Sequence, residues 1–141
     1  MRLLLLHVDY IDYAVKKATK YAETVDDSLK QGRMEEALAV FVAAERGDKE
    51  ATDVVARDAA DAIRDVAIKV GTEKVVLYPY AHLSSDLASP KNAIELLKKI
   101  EGLLVGLHVL RAPFGWYKSF SLKCKGHPLS ELSRTITLEP K

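Results

Sequence analysis

The sequence predicts an α/β domain, spanning residues 1–141, in which a mixed β-sheet carries two main helices on one face. Apolar residues make up 48% and charged residues 29% of the chain, a balance typical of a globular domain with its own core. Two segments show the three- and four-residue spacing of amphipathic helices, and short apolar or alternating runs precede and follow them. The predicted order β(β)β–α–β–α–β–β–β is typical of a mixed sheet.

The N-terminal third is predicted to supply the centre of the sheet. Arg2–Tyr10 contains four consecutive leucines, an apolar run typical of a strand buried on both faces. After a bend, Ile11–Val15 continues this strand. Lys16–Arg33 is polar and is predicted as a long exposed loop, a kind of segment that is often functional. Glu36–Ala44 is predicted as a strand because its centre is β-branched and aromatic.

Both predicted helices have recognisable ends. Ala51–Val70 places apolar residues on one face and charged residues on the other, and Gly71 follows as a C-terminal stop. Ser89 is predicted to cap the second helix, which has Pro90 at its first position and runs to Gly102.

Four further strands are predicted in the C-terminal two thirds of the chain: Glu73–Tyr78, Leu107–Arg111, Trp116–Lys123 and Leu132–Leu138. Two helices cover only one face of such a sheet, so the other face must meet a second sheet, a partner subunit or solvent. This geometry favours a homodimer.

Charge and cysteine content narrow the classes of function. The net charge is +1, yet residues 111–134 hold five basic side chains and one acidic one. Such a segment can contact phosphates, although charge alone favours a solvated strand edge that lysines keep soluble. Cys124 is the only cysteine, which excludes an internal disulfide. The apolar run at the N-terminus lacks the pattern of a signal peptide, so we expect a cytoplasmic protein.

Three clusters contain residues that could carry chemistry. Tyr78–Ser84 follows a buried strand and includes His82, at a position where ligands bind in α/β folds. Ala112–Lys118 combines a Pro-Phe-Gly turn with aromatic residues and a lysine, which suits base stacking or a half-buried strand. Cys124–Arg134 contains Cys124 and His127, only two candidate ligands where zinc needs three or four, so no metal site is predicted.

Together these clusters resemble one family, the N-terminal editing domain of archaeal threonyl-tRNA synthetases. The matching stretches are Met1–Tyr13, Lys30–Glu36, Tyr78–Leu87, Ala112–Phe120 and Cys124–Arg134. The resemblance implies a fold like that of D-aminoacyl-tRNA deacylases, a homodimer and no cofactor. It also implies hydrolysis of mischarged L-seryl-tRNA(Thr) at the aminoacyl 3′ end of the tRNA, within a longer synthetase or beside a separate one.

The resemblance also assigns roles to individual residues. It implies that Lys118 and Tyr117 lie next to the reacting ester and that His82 and Glu131 surround the seryl group and the terminal adenosine. Catalytic roles fall to Lys118, Tyr117 and His82, and substrate-binding roles to Ala81, Glu131, Pro79, Phe114, Cys124 and His127. Family members are thought to use the 2′-hydroxyl of that adenosine to position or activate water. Trp116 stands where many relatives have a second tyrosine.

Two other functions stay open at this point. A D-aminoacyl-tRNA deacylase would have the same fold, but its Ser-Gln-Phe-Thr-like and Asn-x-Gly-Pro-like motifs are missing here. A module that binds tRNA or a free amino acid without catalysis would also account for the basic segment.

Overall fold

A computed structural model describes residues 1–138. It contains a six-stranded sheet and two α-helices within this range. The elements are β1 (Arg2–Ala18), β2 (Gln31–Ala43), α1 (Thr52–Val70), β3 (Lys74–Pro79), α2 (Pro90–Leu103), β4 (His108–Arg111), β5 (Trp116–Cys124) and β6 (Glu131–Thr135). Short 3-10 helices occupy Asp27–Leu29, Arg46–Ala51 and Ala81–Leu83.

The strands lie in the order β4-β3-β2-β1-β5, and β6 pairs with the N-terminal part of β1. β3 runs parallel to both β2 and β4, whereas β1 is antiparallel to β2, β5 and β6. The predicted mixed sheet is therefore confirmed. No helix among residues 1–138 is long and apolar enough to cross a membrane.

The two helices pack together on one face of the sheet, as predicted. Leu5, Val40 and Leu77 point from adjacent strands into the core on this face, and Ile63 of α1 and Ile100 of α2 meet them. All five side chains have no measurable exposure, because alternate residues of a strand point to the same face. This layer is the main hydrophobic core.

The opposite face is covered by the curl of the sheet itself. Phe120 of β5 pairs in register with Tyr13 of β1, and Phe41 of β2 pairs with Leu4. Along a straight β1 these positions would be about 30 Å apart. The rings of Phe120 and Phe41 nevertheless lie 5.8 Å apart, centroid to centroid. β1 must therefore bend sharply, and its register shifts beside Val8 and Val15 are the kind of bulge that produces such bending.

Several element boundaries differ from the predictions. The predicted continuation of β1 after a bend is confirmed, with a bulge between Val8 and Tyr10, but the strand runs on to Ala18, so the polar loop is shorter than the predicted Lys16–Arg33. The last strand ends at Thr135 and not at Leu138, because its pairing with β1 ends where β1 begins at Arg2. Pairing with a neighbouring strand, which local sequence patterns do not record, sets both limits.

The predicted helix ends are confirmed. The Ser89 hydroxyl accepts a hydrogen bond from the backbone N–H of Asn92 at 3.3 Å, and Pro90 begins α2. Gly71 follows α1 with φ at +77°, a left-handed conformation that glycine adopts without strain. These local signals could be read directly from the sequence.

The burial of Leu77 leads to a prediction about stability. Replacing it with alanine removes methyl and methylene groups from the fully buried core, so Leu77→Ala should lower the free energy of unfolding by about 2–5 kcal/mol. Urea denaturation followed by circular dichroism measures this loss. Ile68→Ala is the control, because Ile68 is 74% exposed and should change stability little. Equal losses in the two variants would contradict the assigned core.

Candidate functional site

A cavity of about 410 Å³ lies between the end of β3 and the start of β5. It is lined by Thr19, Tyr78, Pro79, Tyr80, Ala81, His82, Phe114, Gly115, Trp116, Tyr117, Lys118 and Phe120. Ligand-binding cavities of proteins commonly have volumes of roughly 300–1,000 Å³. Two of the three predicted clusters, separated by about thirty residues of chain, therefore meet in one hollow.

The end of β3 places His82 at the rim of this cavity. The Tyr80 N–H donates to the Val42 carbonyl at 2.8 Å, which holds the chain to β2 as it leaves the sheet. The 3-10 helix that follows presents His82 with an exposed side chain, packed edge-to-face against Tyr80 at 5.2 Å. His82 thus stands at the carboxyl end of a buried strand, as predicted.

The turn before β5 forms the opposite wall. Gly115 has φ at +82°, and a Cβ atom there would lie 2.5 Å from the Tyr21 carbonyl oxygen, so glycine is required on both counts. The Thr19 hydroxyl donates to the Gly115 carbonyl at 2.6 Å. This turn leads directly into Trp116–Lys118, which faces the cavity.

Lys118 lies over an aromatic floor. Its Nζ atom is 5.2 Å from the centroid of the Tyr78 ring and donates to the Trp116 carbonyl at 3.0 Å. Burial lowers the pKa of the Lys118 ammonium group to about 8, with the negative charge of Glu23 acting in the opposite direction. Lys118 is therefore a cation at neutral pH, poorly hydrated and able to donate hydrogen bonds into the cavity.

Tyr117 and Tyr78 differ sharply in their surroundings. Tyr117 is 64% exposed at the cavity mouth, where its hydroxyl is accessible to solvent. Tyr78 is buried, and burial raises the pKa of its phenol to about 12. Tyr78 therefore stays neutral and serves as an apolar floor under Lys118.

A smaller apolar cavity of about 50 Å³ adjoins the first. The two share Pro79, Tyr80, Ala81 and Phe114 as a common wall, and the far side comes mainly from the end of β2 and from α2. Sequence reasoning did not identify this cavity, because its far wall consists of ordinary core residues such as Val42 and Leu97.

Three predicted site residues lie outside both cavities in the single chain: Cys124, His127 and Glu131. Cys124 Sγ donates to the Ser130 carbonyl at 3.4 Å. Glu131 is exposed on β6, opposite Leu6 of β1. The structure thus brings together six of the nine predicted residues, namely Lys118, Tyr117, His82, Ala81, Pro79 and Phe114.

His127 instead pairs with a histidine of β1. Its Nδ1 atom accepts a hydrogen bond from the backbone N–H of Leu129 at 3.1 Å, so its Nε2 atom carries the proton and donates to His7 Nδ1 at 2.7 Å. Burial lowers the pKa of His7, with the nearby His127 and Lys125 acting in the same direction. Within residues 1–138 no three potential ligands from histidine, cysteine, aspartate or glutamate come together as a metal site.

The loop after β1 supplies residues that sequence reasoning missed. Thr19 lines the cavity, and the Glu23 carboxylate, which is buried, binds the guanidinium group of Arg111 through two contacts of 2.7 Å. The only available signal was the length and polarity of the segment, which marked it as functional without naming a residue.

Comparisons with known proteins identify the family. A sequence model described as the archaea-specific editing domain of threonyl-tRNA synthetase matches residues 1–136. The threonine--tRNA ligase of Methanococcoides burtonii is 56% identical over 99% of this chain, and that of Methanoculleus marisnigri is 58% identical over 96%. The chain spans 22% of the length of each of these relatives.

A solved structure named c-Myc DNA Unwinding Element Binding Protein shares the fold, with a TM-score of 0.62, 8% identity and full coverage of both chains. This likeness concerns the fold alone, and it confirms the expected fold class, an α/β domain with a mixed sheet and two main helices. Because the family model covers nearly the whole chain and the relatives share more than half of the aligned residues, this protein belongs to the archaeal editing-domain family of threonyl-tRNA synthetase.

Proposed function

We propose that this domain hydrolyses the ester bond of mischarged L-seryl-tRNA(Thr) and releases serine. The observation that carries the proposal is the meeting of Lys118, Tyr117 and His82, from two separate segments, at one cavity. Such a cavity has room for the aminoacyl group together with the ribose that carries it.

Physical chemistry supplies the reason for such an activity. Serine lacks one methyl group of threonine, and a site built for threonine rejects the smaller amino acid by only about 1–3 kcal/mol. A second site that admits serine and excludes the extra methyl group sterically supplies the missing discrimination. Membership of an editing-domain family agrees with this role.

The proposed mechanism uses orientation and charge without a protein nucleophile. The Lys118 ammonium group donates to the ester carbonyl and stabilises the negative charge that develops on its oxygen. Tyr117 and His82 hold the attacking water and the serine, and the backbone of Ala81 contacts the ligand. The apolar wall formed by Pro79 and Phe114 suits the base of the terminal adenosine, whose ribose 2′-hydroxyl activates the water. The water attacks the ester carbon, the bond to the ribose 3′-oxygen breaks, and this oxygen leaves with a proton from the water.

The wider setting is also part of the proposal. The remaining length of the relatives suggests that tRNA(Thr) is delivered by the rest of a threonyl-tRNA synthetase or by a separate one, in the cytoplasm. The homodimer stays a prediction. Among the described residues, the outer edges of β5 and β6 pair with no strand, which leaves them available to a second copy of the chain.

The substrate-binding roles of Glu131, Cys124 and His127 stay hypotheses.

The direct test compares the release of radiolabelled serine and threonine from Ser-tRNA(Thr) and Thr-tRNA(Thr). Rapid release of serine alone supports the proposal. Equal rates would remove the claim of specificity, and fast hydrolysis of D-tyrosyl-tRNA with slow hydrolysis of L-seryl-tRNA would indicate a D-aminoacyl-tRNA deacylase. Tight tRNA binding without any release would indicate a binding module.

Lys118→Met should slow serine release at least tenfold, a loss of about 1.4 kcal/mol or more of transition-state stabilisation. Methionine keeps the buried chain and removes the charge, so the fold should be retained. Lys123→Met is the matched control, because Lys123 lies on the same strand with a side chain that is 71% exposed. Unchanged activity of Lys118→Met would refute the role of Lys118.

The pH dependence should follow the Lys118 ammonium group. Because its pKa is lowered to about 8, the cation is lost as pH rises through this value, and enzymatic serine release should fall there. The measurement is the rate against pH after subtraction of spontaneous ester hydrolysis. In Lys118→Arg, the guanidinium group stays charged and the fall should disappear. A rate that increases through pH 8 in the native protein would instead indicate a neutral amine acting as a base.

The 2′-hydroxyl can be tested on the substrate. Ser-tRNA(Thr) that ends in 2′-deoxyadenosine should lose enzymatic hydrolysis although it still binds, because the group that activates the water is missing. Competition of this tRNA with the normal substrate checks binding separately from chemistry. Hydrolysis at the normal rate would transfer the role of base to a protein side chain.

A further inference from the structure

The loop after β1 is joined to the turn that forms one wall of the cavity. The backbone N–H of Thr19 and its hydroxyl both donate to the Gly115 carbonyl, at 3.0 and 2.6 Å. The backbone N–H of Glu23 donates to the Phe114 carbonyl at 2.8 Å, and the Trp116 indole N–H donates to the Glu23 carbonyl at 2.9 Å. The turn is therefore fixed from outside the sheet.

The Glu23 side chain is the centre of this junction. It is 8% exposed, and its two carboxylate oxygens accept from the two terminal nitrogens of Arg111 at 2.7 Å each. One of these oxygens also accepts from the backbone N–H of Phe114 at 3.1 Å. Although burial by itself would raise it, the pKa of Glu23 is lowered by these hydrogen bonds, so the group is a carboxylate.

We propose that Glu23 is a positioning residue, which holds the Phe114–Trp116 turn and thereby sets the place of Lys118 in the cavity. Lys118 is only two residues beyond Trp116 and donates to the Trp116 carbonyl at 3.0 Å, so a displacement of Trp116 is passed on to the ammonium group. This inference rests on the proposed function of the cavity as the site of ester hydrolysis.

Glu23 also acts on Lys118 through its charge. Lys118 is desolvated, and Glu23 is the anion whose field favours its protonated form. Glu23 is not among the residues that line the cavity, and its carboxylate oxygens accept hydrogen bonds from Arg111 and Phe114. A group with such a position acts on the reaction through another residue and does not touch the substrate.

The decisive comparison is between Glu23→Gln and Glu101→Gln. Both remove a carboxylate from Arg111, because Glu101 accepts from Arg111 Nε at 3.0 Å. The Glu101 side chain, however, is 42% exposed, and within residues 1–138 it forms no hydrogen bond with the turn. Glutamine in place of Glu23 has one acceptor oxygen and no charge, so it cannot accept two charge-assisted hydrogen bonds from Arg111. The substitution also removes the anion near Lys118.

We expect Glu23→Gln to lower kcat for serine release about tenfold or more, as misplacement of a catalytic group does. The fall in rate at alkaline pH should also move to lower pH, because the ammonium group loses its favourable anion. Glu101→Gln should keep the native kcat, and its rate should fall at the same alkaline pH as that of the native protein. A purely structural role of Glu23 would lower the amount of folded Glu23→Gln protein and leave the pH at which its rate falls unchanged.

A titration of Lys118 Nζ by nitrogen NMR gives a second readout that needs no activity. It should show a lower pKa in Glu23→Gln than in the native protein and in Glu101→Gln. If the native protein releases no serine, the proposed function fails, whereas the titration still tests the link between Glu23 and Lys118. The inference about Glu23 is overturned if the native protein is active and Glu23→Gln does not differ from Glu101→Gln in three measurements. These are kcat, the alkaline pH at which the rate falls, and the pKa of Lys118 from the NMR titration.

Arg111→Lys covers the case in which Glu23→Gln does not fold. Lysine keeps the positive charge but cannot hold both carboxylate oxygens of Glu23 in one plane. Arg111 does not line the cavity, and Glu101→Gln controls for its other contact, so an effect on kcat that Glu101→Gln lacks passes through Glu23 and the turn. We expect a fall in kcat of several fold with a nearly unchanged KM, and a native kcat in Arg111→Lys would overturn the inference.

Discussion

The curled shape of the sheet is stabilised by the packing of Phe120 of β5 against aromatic rings of β2 and β3, strands that do not pair with β5. Its ring lies 5.8 Å from that of Phe41 and 5.2 Å from that of Tyr78. These contacts hold β5 over the face of the sheet that the helices leave uncovered. They require the bend of β1, since β1 is the one strand among residues 1–138 that pairs with β5. The cavity exists because this curl brings the start of β5 to the end of β3.

The same curl explains the chemistry available to Lys118. A lysine on an ordinary outer strand would extend into water and keep its usual pKa. Here the ammonium group lies over the Tyr78 ring, where burial disfavours the charged form and the ring face and the charge of Glu23 favour it. The balance keeps a cation with little hydration, which is the state best suited to stabilise a developing oxyanion.

The candidate site could be predicted in part, for reasons that individual residues illustrate. His82 follows a buried strand, and Lys118 follows a Pro-Phe-Gly turn, so local patterns identified both as candidates. Those patterns did not show that the two residues share one cavity. Their motifs also carried the resemblance that the family comparison confirmed. Cys124 and Glu131 were expected beside them, but beyond the end of β5 the chain loops away to His7 and returns along β1. Local sequence contains no signal for that path.

Local sequence patterns were sufficient to locate the helices and strands of this protein, although not all of their ends. Helical spacing, the Ser89 cap, Gly71 and the apolar strands depend on residues a few positions apart, and their physics is local. Three features could not be predicted in this way: the extent to which β1 curls, the apolar cavity behind Phe114, and the ion pair between Glu23 and Arg111. Each of these depends on contacts between residues far apart in the chain. A glutamate in a polar loop has the same sequence context whether it is solvated or, like Glu23, buried in an ion pair with a distant arginine.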